Sequence, residues 1–293
     1  MRQNDYPMTA IENVLILGAG WVGRQTAARL ARFGLSVWLV DRNQQVSAAA
    51  VEWMRELPEF VFDPLWVDRV RIASGLRELR AMGVQFDLAI ESVPEQVSLK
   101  KRVLRELSEL FPAPTIIVSN SSYFVPSMLS RYVSQPQRFA HLHFHVPVLE
   151  DSVVDIVGCA ETDPQVIERL RQLTVRIGQE PLVLRREHPG YIFNWLLQSV
   201  LRSALELVEL DVADPVDIDK SWTAVTGMPL GPFGIMDRIG LDVIEQILSN
   251  ARWVDASATE VPIEQLLKLL AKHTTAGELG VKTKRGFYDY SQQ

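Results

Sequence analysis

Val14-Leu15-Ile16-Leu17-Gly18-Ala19-Gly20-Trp21-Val22-Gly23 decides the fold, because an apolar run passes directly into a Gly-x-Gly-x-x-Gly spacing. The run reads as a buried strand, and the glycines as a loop that turns straight into a helix over residues 24–33. Each glycine has its own task. Gly18 permits the tight turn, Gly20 lets the backbone approach a pyrophosphate, and Gly23 lets the helix lie close on the strand. The helix start presents backbone N–H groups and the positive end of its dipole to phosphate, with no basic side chain required. Gly18, Gly20, Trp21, Val22 and Gly23 are therefore candidate cofactor contacts. The next apolar run, residues 37–40, ends at Asp41, near the ~20-residue offset at which an acid meets a ribose 2′-hydroxyl. An acid there favours NAD over NADP, and Arg42 is the one neighbour that could admit a 2′-phosphate.

The chain has 293 residues, more than one domain usually holds, so two domains are expected. Its composition, 47% hydrophobic and 23% charged, is that of an ordinary globular protein. A net charge of −6 argues against a nucleic-acid surface, which needs clustered Lys and Arg. Cys159 is the single cysteine, so neither an internal disulfide nor a multi-cysteine metal site can form. Residues 1–13 are polar without a signal-type apolar core, and no apolar run reaches the ~18 residues of a membrane span. The expectation is a cytoplasmic protein with no membrane partner and a small-molecule ligand.

Residues 43–57 read as helix, 70–73 as a short strand and 76–82 as helix. A buried strand over 86–91 runs into Ser92-Val93-Pro94-Glu95 and an amphipathic helix over 96–110. Residues just past a parallel strand's carboxyl end line a cofactor crevice. Glu95 and Lys100 are thus candidate contacts to the nicotinamide-side ribose, the plainer alternative being a helix-start acid and a solvated lysine. The strand over 115–118 delivers Ser119-Asn120-Ser121-Ser122 to the same edge, where short polar side chains can hold a carbonyl or hydroxyl, or simply make a turn.

Over 138–145, His141, His143 and His145 share one face of a strand. A zinc reading is disfavoured, because imidazoles splayed along a strand rarely converge on one ion. One of the three as a general base fits better, and Asp155, on the next strand over 153–157, is the acid best placed to fix its tautomer. A helix over 163–177 and a closing strand over 181–184 follow. The composition then changes: residues 191–209 form a long apolar helix with a narrow polar stripe at Asn194, Gln198, Arg202 and Glu206. Such a helix is expected at a domain or subunit interface. Only helices and turns follow, over 217–226, 235–250 and 263–272, with a loop at 228–234. The expected architecture is an α/β Rossmann-type doubly wound sheet, residues 1–186, followed by an all-α C-terminal domain for substrate and dimerisation, residues 187–293.

These residues closely resemble the L-3-hydroxyacyl-CoA dehydrogenases over nearly the whole chain. The shared motifs are the glycine loop, Ser119-Asn120-Ser121-Ser122, Arg138-Phe139-Ala140-His141-Leu142-His143-Phe144, Pro189-Gly190-Tyr191-Ile192-Phe193-Asn194, Gly231-Pro232-Phe233 with Asp237 and Gly240-Leu241-Asp242, and Gly280-Val281-Lys282 leading to Gly286-Phe287-Tyr288. The resemblance implies NAD as cofactor, His143 as the base that takes the hydroxyl proton, Asp155 as its orienting acid, and Ser122 and Asn194 as substrate-positioning residues. It also implies cofactor contacts at Glu95, Lys100 and Asn120, and an acyl-CoA or related thioester as substrate. A homodimer is expected from the apolar helix.

Several positions depart from the family pattern. Where the family reads His-Phe-Phe-Asn-Pro, this chain has His143-Phe144-His145-Val146-Pro147. Asp155 stands for a glutamate. The lysines near the CoA phosphates have no clear counterpart between Asn43 and Arg71, Lys284 and Arg285 stand where the family prefers a glycine and a variable residue, and the terminal lysine is missing. A carrier-protein thioester, a small hydroxy or sugar acid, and a catalytically weak NAD-binding homologue are the alternative readings.

Overall fold

The computed structural model describes residues 10–58, 64–150, 152–250 and 261–292; residues 1–9, where the polar N-terminal stretch begins, lie outside them. The chain divides into two compact units, Met1–Tyr191 and Ile192–Gln293.

The first unit is built on eight strands: β1 (Asn13–Leu17), β2 (Ser36–Val40), β3 (Val70–Ala73), β4 (Leu88–Glu91), β5 (Ile116–Ser119), β6 (Phe139–Phe144), β7 (Val153–Gly158) and β8 (Glu180–Val183). They lie in the order β3-β2-β1-β4-β5-β6-β7-β8. All neighbours pair in parallel except β6 and β7, which are antiparallel. The helices are α1 (Trp21–Arg32), α2 (Gln44–Arg55), α3 (Leu76–Ala81), α4 (Val97–Leu110), α5 (Pro126–Leu129) and α6 (Pro164–Arg176). The central strands are apolar on both faces, as strands buried between two helical layers must be. Leu30, Met54, Leu142 and Leu170 fill one layer, and Leu79, Leu104, Leu107 and Phe139 the other. The chain reverses direction across the sheet between β1 and β4, and this switch point opens the crevice where a dinucleotide lies in such sheets.

The glycine loop is explained atom by atom. Gly18 has φ +108°, and a Cβ there would sit 2.4 Å from the Ser92 carbonyl oxygen. A Cβ at Gly23 would sit 1.9 Å from the Gly18 carbonyl oxygen, so α1 reaches the loop only because Gly23 has none. A Cβ at Gly20 would meet nothing within 4 Å, so protein packing does not require that glycine. Gly20 also caps α1 without any side-chain hydrogen bond, which leaves the first-turn N–H groups to a ligand. This loop fits a pyrophosphate.

The second unit is helical: α7 (Phe193–Glu209), α8 (Pro215–Thr226), α9 (Pro232–Ile239), α10 (Leu241–Asn250) and α11 (Ile263–Thr274). The single helix expected over 235–250 is two. It begins earlier, at Pro232, whose ring suits the first turn. It breaks at Gly240, which has φ +107°. Two aspartates, Asp219 half-buried and Asp237 buried, organise this unit. Asp219 accepts from the N–H groups of Phe233 and Gly234, both at 2.8 Å, capping α9. Asp237, 1% exposed, accepts from the N–H groups of Phe287 and Tyr288, both at 2.9 Å, tying the C-terminal segment back to α9. The motif residues Gly231-Pro232-Phe233 and Gly286-Phe287-Tyr288 are thereby assigned to architecture. No helix among the described residues is long and apolar enough to cross a membrane.

Gly20→Ala and Gly23→Ala separate binding from folding. Gly23→Ala should cost about 1–3 kcal/mol of stability through overpacking, read as a lower Tm. Gly20→Ala should leave Tm unchanged and weaken NAD binding in calorimetry.

Candidate active site

The one antiparallel pair in the sheet positions the central contact. In the β6–β7 register His143 lies directly opposite Asp155, and facing residues of such a pair hold their Cβ atoms within side-chain reach. His143 Nδ1 is 3.0 Å from Asp155 Oδ2, and Nε2 is 3.0 Å from Ser122 Oγ. A carboxylate can only accept, so Nδ1 carries the proton and Nε2 presents its lone pair to the Ser122 hydroxyl. His143 is 3% exposed and Asp155 is fully buried.

The other two histidines diverge. His145 Nε2 also bonds Asp155 Oδ2, at 2.8 Å, while Asp155 Oδ1 has no hydrogen-bond partner among the described residues. The donor atoms of His143, His145 and Asp155 lie within 4.8 Å of one another. The trio is held together by the two N–H bonds to a single oxygen. His141 is turned away, with Nδ1 2.9 Å from the Tyr191 hydroxyl. That hydroxyl donates to the Ser121 carbonyl at 2.6 Å, so His141 must be the donor to it. Tyr191 stacks on His143 with ring centroids 4.6 Å apart and an interplanar angle of 22°. Its backbone has φ +54°, rare for a bulky residue and found where surrounding structure enforces it. Residues 187–191 are held on this unit by that hydroxyl and by Glu187, whose carboxylate accepts from Ser127 N–H at 2.8 Å.

At the end of β4 a second cluster forms. Glu91 is fully buried and accepts from Lys100 Nζ at 2.8 and 3.1 Å, from Ser119 Oγ at 2.6 Å and from Val93 N–H at 2.8 Å. Lys100 is 1% exposed, and it also reaches the Val93 carbonyl at 3.2 Å and Glu95 Oε2 at 3.2 Å. The structure thus gives Lys100 a place different from a ligand-facing cation: its ammonium is occupied by protein acceptors. Glu95 uses its other oxygen on the Ser121 hydroxyl and on Tyr123 N–H at 3.0 Å, pinning the loop that carries Ser122.

The remaining candidates are placed as follows. Asp41 accepts from Ala19 N–H and Asn43 N–H, both at 3.0 Å, so the acid expected at the ribose also buttresses the glycine loop. Asn120 accepts from Phe144 N–H at 2.8 Å, tying the β5 loop to the end of β6. Val146 is 52% exposed. Asn194 lies in the first turn of α7, in the second unit.

Burial pushes the His143 imidazole below its ordinary range; the Asp155 hydrogen bond pulls it up, and His145 pushes it down again. Burial pushes Asp155 up, but the bonds from His143 and His145 outweigh it, and the carboxyl lies below its ordinary value. Burial holds His141 well below the imidazole range and raises the Tyr191 phenol well above its own. At neutral pH the cluster holds a carboxylate, a phenol and neutral His141 and His143.

Two sequence profiles of one family cover the two units: the 3-hydroxyacyl-CoA dehydrogenase NAD binding domain matches residues 13–188, and the C-terminal domain matches residues 190–290. The chain belongs to the 3-hydroxyacyl-CoA dehydrogenase family. It is an NAD-dependent oxidoreductase of that family. The 5-formyl-3-hydroxy-2-methylpyridine 4-carboxylate 5-dehydrogenase of Mesorhizobium japonicum is 30% identical over 97% of this chain and 92% of its own. The human mitochondrial hydroxyacyl-coenzyme A dehydrogenase is 27% identical over 96% of this chain and 91% of its own. A solved diketoreductase, described as catalysing dicarbonyl compounds, superposes with a TM-score of 0.85 at 33% identity, covering 96% of this chain and all of that one.

Three site residues of this dehydrogenase escaped the sequence reading: Glu91, Tyr191 and the contact made by His145. An acid closing the apolar run of residues 86–90 was a legible signal for Glu91. The left-handed backbone of Tyr191 left none.

Lys100→Met should strip Glu91 of its counter-charge and cost about 3–5 kcal/mol. Urea denaturation would read this, and Glu91→Gln in the same chain should recover part of the loss.

Proposed function

We propose that this chain interconverts a 3-hydroxyacyl thioester and its 3-oxoacyl form, with CoA as the thioester handle. The file Ser122–His143–Asp155 carries the reading. His143 Nε2, free of its proton, faces the hydroxyl of Ser122 on the loop that follows β5, where a substrate hydroxyl can replace or join that contact. NAD, when bound, supplies the hydride acceptor. His143 takes the substrate hydroxyl proton at Nε2, and Asp155 stabilises the imidazolium through Nδ1. Ser122 orients the substrate oxygen, and Asn194 is the second residue that the family resemblance assigns to substrate positioning. Gly18, Gly20, Trp21, Val22 and Gly23 hold the pyrophosphate, Asp41 the adenine-side ribose, and Glu95 and Asn120 the nicotinamide side, with Lys100 acting through Glu95.

A second reading is supported by the Mesorhizobium and diketoreductase relatives. Arginines in place of lysines over residues 43–71 leave the CoA handle weakly specified, and a small carboxylate- or carbonyl-bearing hydroxy compound is the alternative substrate. NADH oxidation assayed with acetoacetyl-CoA, its pantetheine analogue and a panel of oxo acids separates them. Activity on acetoacetyl-CoA alone supports the thioester reading, and activity confined to the acids overturns it. His143→Ala should lower kcat by about 10²–10⁴-fold with NAD affinity almost unchanged.

The chain is proposed to act as a homodimer. Leu201, Ala204 and Leu205 of α7 are buried, while Phe193 and Leu196 on the same helix remain 53% and 60% exposed, with Val212 just beyond at 63%. Apolar area of this kind marks an interface. Sedimentation should give twice the 33.1 kDa chain mass, and Leu196→Asp should shift the population toward monomer.

A further inference from the structure

We propose that His145 is a positioning residue for the proton transfer: its Nε2–H takes a share of the one carboxylate oxygen that holds His143, and so limits how strongly Asp155 can grip the catalytic imidazole. The inference rests on the reading of His143 as the base.

The geometry is specific. Asp155 Oδ2 receives N–H groups from His143 at 3.0 Å and from His145 at 2.8 Å. The oxygen's charge is divided between two donors, and the shorter contact belongs to the ring that does not face Ser122. The two imidazoles meet edge to face, with centroids 4.6 Å apart and planes at 75°, so neither can turn without disturbing the other. His145 follows the last residue of β6, and its side chain is 12% exposed against 4% for His143. It therefore stands on the outer side of the pair.

A carboxylate that already accepts one N–H is a weaker acceptor for the next, and it stabilises a cation on that second partner less. Asp155 alone would hold a proton on His143 tightly and keep the ring charged at moderate acidity, when the base must be empty to accept the substrate proton. Sharing Oδ2 with His145 relaxes that hold. The groups facing His143 divide by sign. Asp155 on β7 and Glu95 ahead of α4 favour the charged ring, while burial and His145 oppose it. The Tyr191 phenol lies over the ring, and His141, beside Lys100, is held neutral by burial. His145 is the member of this set whose removal leaves Asp155 and Glu95 without an opposing side chain.

The sign of the test follows. Loss of the second donor makes Asp155 more basic, stabilises protonated His143, and moves the acid limb of the pH–rate profile to higher pH. His145→Phe should raise that limb by about one unit, an approximately tenfold loss of rate on its acid side relative to the plateau. His145→Gln places an amide N–H near the position of Nε2 and should keep the wild-type limb. The His143 ring is titrated in parallel by 15N NMR on the full-length protein with NAD present, its resonances assigned by their loss in His143→Ala. The NMR titration should move with the limb in His145→Phe and stay in His145→Gln. An unmoved or lowered His143 titration in His145→Phe overturns the proposal, as does His145→Gln behaving like His145→Phe. Full activity in His143→Ala would instead overturn its role as base, while the NMR titration still decides whether His145 governs the His143–Asp155 pair.

Discussion

The buried ion pair between Lys100 and Glu91 is the contact on which the crevice depends. Glu91 ends β4 at the switch point, with no access to water, and an unpaired carboxylate there would be expensive. Lys100 neutralises it from α4, Ser119 donates to it from β5, and Val93 donates from the loop between β4 and α4. The same ammonium reaches Glu95, and Glu95 holds the Ser121–Phe124 turn. One cation therefore links β4, β5 and α4 to the loop that sets Ser122 against His143. The network explains how a lysine whose ammonium is engaged by protein acceptors can govern the site.

A second constraint comes from strand direction. The sheet runs parallel as far as β6, and the antiparallel return through β7 brings residues twelve positions apart face to face. A parallel strand at that place would need a long crossover and would set no such partner opposite His143. The ladder also accounts for the short acid. Across a directly paired position the Cβ atoms are already close, so an aspartate spans the gap to Nδ1, and His145, one step past the strand end, can bend onto the same oxygen. Two of the departures from the family pattern, Asp155 for glutamate and His145 for phenylalanine, thus meet at one atom.

Much of this was legible in the sequence, and the limits have physical causes. The glycine loop, the continuous apolar runs of β1 and β2, and the strip of histidines follow from glycine spacing, from burial on both faces and from a period of two, which local sterics impose. That Asp155 meets a histidine of the neighbouring strand was readable because both strands have predictable length, while the choice of His143 among the three came from the family resemblance alone. Less was readable wherever long-range geometry decides. The break at Gly240 depends on a left-handed backbone beside Asp242 and Lys282, which a helical period does not reveal. The occupation of Lys100 depends on three partners, Glu91, Val93 and Glu95, that the end of β4 and the loop after it fold around its ammonium. The apolar girth of α7 announced a covered helix, but only part of that girth is covered within the chain.

The electrostatic balance at His143 shows what this arrangement achieves. Asp155 and Glu95 draw a proton toward the ring, and burial with His145 drives it away, with burial the largest influence. The net result is a neutral imidazole whose Nε2 lone pair is available, next to an acid that becomes its ion-pair partner once a proton arrives. A proton entering this site converts a buried lone carboxylate into a buried neutral pair, so desolvation opposes the charged ring much less after transfer than it would without Asp155. The neighbouring phenol does not compete. Tyr191 is held in its protonated form by burial and by the nearby acids, and its hydrogen is committed to the Ser121 carbonyl. His141 is likewise fixed as a donor to that phenol. The proton-accepting position that faces Ser122 is His143 Nε2, on a ring held between the Asp155 carboxylate at Nδ1 and the stacked Tyr191 phenol.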